Sequence, residues 1–148
     1  MASPSNIELT PEITEAVNNA QPSGKALSVA YVTADGRPRL SLRGSTHVHG
    51  PDELAIWVRQ AEGGLVEAVQ ANPNISLLYR DAPARTTYIF SGRARVATDE
   101  ATRGKVFDDS PAFEREHDPE RKGVAVVIEL DEVKGGTVGG TQVSMTRS

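Results

Sequence analysis

Residues 26–48 read ALSVAYVTADGRPRLSLRGSTHV, and the folding of this stretch decides the rest of the chain. Asp35 and Gly36 both tolerate positive φ, so the segment is predicted to be two β-strands closing in a hairpin there. The second arm alternates. Leu40 and Leu42 point one way, while Arg39, Ser41, Arg43, Ser45, His47 and His49 share the other parity. A turn over 49–53 leads into a third strand, LAIWVR, in which Leu54, Ile56 and Val58 oppose Ala55, Trp57 and Arg59.

The pattern continues outward. ISLLYR and TTYIFSGRARV are the fourth and fifth predicted strands, and GVAVVIELDEV is the sixth. The first half of that last strand is apolar at both parities, which predicts burial on both faces. Thr10 and Pro11 have the chemistry of a helix cap and first turn, with Ile13, Ala16, Val17 and Ala20 at helical spacing behind them. A second helix follows Gly64 and stops at Asn72–Pro73, a third runs from a cap at Thr98 or Asp99 to Phe107, and Ser110–Pro111 opens another. Six strands with short connections and small helices predict a mainly β chain: a closed or nearly closed antiparallel barrel with helices outside. The expected organisation is one domain over 1–148, with a core over 8–134 and a glycine-rich tail, 135–148, that is mobile or held by a partner subunit. A six-stranded sheet has edges to hide, so a homodimer is expected.

The 148 residues carry a net charge of −4 and no cysteine. The charge gives no basic face for nucleic acid. The missing cysteines exclude disulfides, thiolate metal sites and a cysteine nucleophile. MASPSNIELTPEI is not a signal peptide, and the apolar run VAVVI at 124–128 is too short to span a bilayer, so a cytoplasmic protein without membrane contact is expected.

The chemistry-bearing stretch is WVRQAEGGLVEAVQANP, residues 57–73, which runs from strand to helix across Gly63–Gly64. It matches neither the dinucleotide fingerprint nor the P-loop. Its neighbours are Arg43, Ser45 and Thr46 on one strand and Arg59 at the end of the next. A helix N-terminus favours an anion by about 0.3–1 kcal/mol, and each charge-assisted arginine bond adds roughly 1.5–3 kcal/mol, so the set is chemically able to hold a phosphate. Trp57 shares the parity of Arg59, which points toward a pocket or an interface. His47 and His49 could meet one metal with Asp52 or Glu53, but the missing third ligand favours plain surface histidines, and no metal is expected. No serine stands in a nucleophile elbow. The acid-rich stretch 107–123 reads as a solvated face.

The order of these parts resembles the pyridoxamine 5′-phosphate oxidase-like flavoproteins. GKALSVAYVTADGRPRLSLRGS, LAIWVR, the helix ending in ANPNISLLYR and the strand ending in SGRARV carry the resemblance over roughly 8–134. It implies a six-stranded split β-barrel of the FMN-binding type, a homodimer, and FMN in grooves at the subunit interface. It places Arg43 at a phosphate-contacting position, with Ser45 beside it, and Trp57, Val58 and Arg59 along the flavin ring. It sets Gly63, Gly64 and Leu65 at the phosphate turn and Thr86 and Thr87 at a polar pair near the flavin. Leu65 stands where the family commonly has a lysine, and Arg59 is the residue expected to compensate. The implied activity is a flavin-dependent oxidoreductase acting on a small organic substrate, with no residue assigned as catalytic. The alternatives are a deazaflavin-dependent reductase, or a non-catalytic flavin or haem carrier with His47 and His49 as haem candidates. Pyridoxamine phosphate is not the expected substrate.

Overall fold

The computed structural model describes residues 6–148. Its elements in chain order are α1 (Pro11–Asn18), β1 (Leu27–Val32), β2 (Pro38–Arg43), β3 (His47–Gly50), β4 (Glu53–Val58), α2 (Gly64–Ala71), β5 (Asn74–Asp81), β6 (Thr86–Ala97), α3 (Glu100–Asp109), α4 (Ala112–Glu116), β7 (Val124–Thr137) and β8 (Gln142–Thr146). One antiparallel sheet of eight strands runs β2-β1-β5-β6-β7-β4-β3, with β8 added on β7. It is the split β-barrel, with small helices outside.

Eight strands stand where six were expected. The predicted second strand is two, because the chain turns at Gly44–Thr46 and changes neighbours: β2 pairs with β1, whereas β3 pairs with β4. The eighth lies in the tail, where residues 142–146 pair with β7 from Glu132 to Gly136. That pairing needs glycine in β7, since a Cβ on Gly136 would sit 2.1 Å from the Thr141 carbonyl oxygen. Arg147 ends the tail by donating from Nε to the Leu130 carbonyl at 2.8 Å and from Nη2 to Asp52 at 2.9 Å.

Local chemistry explains the helices. Thr10 accepts from Ile13 N at 3.2 Å, with Pro11 first in α1, and Asp99 accepts from Thr102 N at 3.0 Å to start α3. The core has two layers. Leu54, Ile56, Leu77, Phe90, Ile128 and Leu130 fill the barrel together with Ile13 and Val17 of α1. Ala55, Trp57, Ala125 and Val127 face outward against Val106 and Phe107 of α3. The middle of β7 is therefore buried on both faces, as its unbroken apolar text requires. Burying a Leu, Ile or Phe side chain contributes about 1.5–3 kcal/mol. Exposed ion pairs such as Lys105–Asp109 contribute about 0–1 kcal/mol. The barrel interior holds the fold, and the surface pairs trim it.

Candidate functional site

The site is built along β2, which is an edge strand. Its register with β1 pairs Tyr31 with Arg39, Val29 with Ser41 and Leu27 with Arg43. Arg39, Ser41 and Arg43 thus share the side on which Val29 and Leu27 enter the core. Two clefts lie along this side. One, of about 310 Å³, is lined by Arg43, Ser45, Trp57, Arg59, Gln60 and Glu114. The other, of about 270 Å³, is lined by Tyr31, Thr33, Arg39, Gly64, Glu67 and Ala68. Four residue steps of strand separate Arg39 from Arg43, a span of about 13 Å.

The expected residues do not all meet. Arg43 and Arg59 share the first cleft; Gly64 lies in the second. Arg43 donates from Nε to Ser41 Oγ at 2.9 Å. Among the described residues, none of Arg39, Arg43 and Arg59 makes an ion pair. Ser45 has a structural duty, since its hydroxyl donates to the Trp57 carbonyl at 2.9 Å and accepts from Trp57 N at 3.0 Å, pinning the β2–β3 turn onto β4. The Trp57 ring packs edge-on against Phe107 at 5.0 Å, with the Arg103 guanidinium 5.5 Å from its centroid. Val58 and Leu65 point into the barrel core, and Leu65 is 1% exposed. A lysine in that rotamer would be a buried cation, so α2 has no use for one at this position. Thr86 and Thr87 are in neither cleft: Thr86 Oγ1 lies 2.6 Å from Thr137 Oγ1, and Thr87 Oγ1 accepts from Arg80 Nη1 at 2.7 Å.

The glycine turn has the backbone for an anion. Gly63 and Gly64 have φ of 71° and 49°, a region that disfavours side chains, and no side chain caps α2. Its first N–H groups thus remain available to a ligand, unlike those of α1 and α3. Arg39 is the cation beside this turn, and sequence reasoning passed over it. Its parity with Arg43 on a clean alternating strand was the available clue.

His47 is not on the surface. His47 is 2% exposed, and burial pushes its pKa down, as it does for half-buried His49. The parity that groups His47 with Ala55 and Trp57 places it on the face covered by α3.

The opposite face of β2 is apolar and open. Leu40 is 78% exposed and Leu42 70%. The strand registers align Leu42, Ser28, Leu78 and Ile89 in one row across β2, β1, β5 and β6. Leu78 and Ile89 are exposed as well. Single exposed leucines are ordinary; a row in which three of four strands present an exposed apolar side chain is not.

Comparisons with known proteins agree with this architecture. A family model described as pyridoxamine 5′-phosphate oxidase matches residues 9–134. No curated protein matches the chain. Among solved structures, HupZ of Group A Streptococcus is similar at 18% identity and a TM-score of 0.67, covering 94% of this chain and 98% of that one. A putative pyridoxamine 5′-phosphate oxidase from Lactobacillus delbrueckii is similar at 22% identity and 0.59, covering 85% and 93%. A FAD-binding protein from Mesorhizobium loti is similar at 17% identity and 0.61, covering 86% and 94%.

Proposed function

Because the chain belongs to the pyridoxamine 5′-phosphate oxidase family, we propose that it is a flavin-dependent oxidoreductase that seats FMN along the arginine side of β2. The observation that carries this reading is the pair of clefts on one strand face, with three arginines that lack ion-pair partners among the described residues. Each cleft alone lies near the lower limit for a ligand pocket, and together they fall well within the usual range. The phosphate goes to the α2 end, where Arg39 and the uncapped N–H groups after Gly63 converge. Arg39 thus supplies the charge absent at Leu65. The ring goes toward Arg43, Trp57 and Arg59, where peptide N–H groups of the chain after Val58 orient its edge. When bound, FMN supplies the hydride-transfer chemistry, while the protein binds, orients and keeps water out. A second copy of the chain covers the apolar row through Leu42 and closes the groove over a small organic substrate.

The test is a visible spectrum of the purified chain before and after loading with FMN, with a parallel titration of the deazaflavin coenzyme. Bound FMN with quenched fluorescence is expected, weakened about ten- to a hundredfold in Arg39→Ala. A protein that rejects FMN overturns the reading, and uptake of the deazaflavin alone replaces it with the reductase alternative.

A further inference from the structure

Two further clefts lie against α1, and none of their residues lines the arginine clefts. One, of about 350 Å³, is lined by Thr10, Glu12, Tyr88, Thr137, Thr141 and Val143. The other, of about 530 Å³, holds Glu12, Glu15, Tyr79 and Asp81, with Lys25. Glu12 belongs to both and stands where they meet. The β5–β6 register sets Tyr79 opposite Tyr88, and the two rings stack at 5.9 Å and 26°. Tyr79 is 6% exposed and Tyr88 8%, yet among the described residues neither phenol hydroxyl makes a hydrogen bond. A buried phenol ordinarily finds a partner, so each of these presents a free hydroxyl to the cleft it lines. Glu12 and Glu15 make no ion pair among the described residues either, whereas Lys25 lies 3.8 Å from Asp81.

We propose that the smaller cleft binds a small primary amine with an apolar body, which lies against Tyr88 and Val143 while the ammonium bonds to the Glu12 carboxylate and the Tyr88 hydroxyl. Across the two clefts three carboxylates face one ammonium, so an anion is repelled. The N-terminus of α1 opposes this with only about half a positive charge, less than the full charge of Glu12. Thr10 moreover already accepts from one of its N–H groups, that of Ile13, at 3.2 Å. Burial, and then the Glu12 charge, push the Tyr88 pKa up, so near neutral pH the phenol keeps its proton and offers its lone pairs to an N–H donor. Two acceptors at one end of a cleft suit a primary ammonium better than a quaternary one, which has no N–H to give. The far wall is braced: Gly140 N donates to the Thr137 carbonyl at 2.8 Å, and Thr137 Oγ1 lies 2.6 Å from Thr86 Oγ1. The cleft is therefore formed before a ligand arrives. The arginine groove is not involved, and the site stands whether or not a flavin binds.

The experiment titrates the full chain with benzylamine by calorimetry, then with benzyl alcohol and benzoate, which keep the ring and change the charge. Benzylamine is expected to bind at a single site, benzyl alcohol about tenfold more weakly, and benzoate not at all. Glu12 is exposed on α1, so Glu12→Gln should keep the fold while erasing the preference for the amine over the alcohol. Tyr88→Phe keeps the stacked ring and removes only the hydroxyl, and it should weaken benzylamine about three- to tenfold. Absence of benzylamine uptake, equal binding of amine and alcohol, or an amine affinity indifferent to Glu12→Gln overturns the proposal.

Discussion

Trp57 donates its indole N–H to Asp118 Oδ2 at 2.9 Å, across 61 residues of sequence. The same carboxylate accepts from Gly123 N at 2.8 Å and from Lys122 N at 3.0 Å. One buried side chain thus ties the segment between α4 and β7 to the floor of the arginine cleft. Gly123 has to be glycine for this closure, since a Cβ there would lie 2.5 Å from the Val58 carbonyl oxygen.

Asp118→Ala should lower stability by about 2–4 kcal/mol. Each buried donor left without a partner costs about 1–3 kcal/mol, and the Lys122 N–H is the one that can turn to water. Trp57 is the sole tryptophan, so its emission reports the site alone and should move to longer wavelength as the indole loses its anchor. A variant with the wild-type melting temperature and emission maximum would show that Asp118 is dispensable.

The same carboxylate sets a pH limit. Burial pushes its pKa up, but the Lys122 and Gly123 N–H groups, the indole and the Arg59 charge outweigh it and hold the carboxyl below the usual range. The folded state therefore binds fewer protons than the unfolded one at acid pH. This stabilisation is complete above the unfolded value of about 4 and is lost as pH falls through the lower folded value. Urea melts between pH 3 and 6 should show a steeper acid loss in the wild type than in Asp118→Asn. Parallel curves for the two would remove Asp118 from the acid limb.

How much of this was legible in the sequence follows the range of the forces involved. The hairpin at Asp35–Gly36, the Thr10 and Asp99 caps and the doubly buried start of β7 were readable, because each rests on neighbours in sequence. The break between β2 and β3 was not, because Gly44–Thr46 turns to let Ser45 reach Trp57, a partner twelve residues away. β8 was hidden for the same reason: QVSMT looks polar and short until Arg147 meets Asp52. Within the groove, parity found Arg43 and Arg59 but not which cleft each enters. His47 looked like a surface residue because its burial comes from elements distant in sequence rather than from its neighbours.

The apolar row through Leu42 predicts a homodimer. Leu40 and Leu42 are exposed on the side of β2 opposite the arginines, so a charge there leaves the core untouched. Leu40→Asp, at a position that lines neither arginine cleft, should convert the dimer to a monomer in light scattering, and it should weaken FMN loading because the groove shares that strand. Stability of the wild type should rise with protein concentration, and that dependence should vanish in the variant. A wild-type chain that stays monomeric at every concentration rules this face out as a self-interface.

Glu67 separates the helix from its ligand. It lies in the first turn of α2, where a carboxylate is favoured by about 0.3–1 kcal/mol through the helix dipole. It also lines the cleft that holds Arg39 and Gly64, where its negative charge repels an incoming phosphate. Glu67→Gln should therefore move two observables in opposite directions. The melting temperature falls slightly, because the helix loses its favourable charge, while FMN binds about two- to fivefold more tightly, as removing a repulsion of that size requires. The gain should shrink with added salt, since the cleft is open to solvent. Arg39→Ala should reverse the affinity change in the double variant without restoring the melting temperature. An FMN affinity that ignores Glu67→Gln would place the phosphate away from α2 and leave the Arg43–Arg59 cleft as its seat.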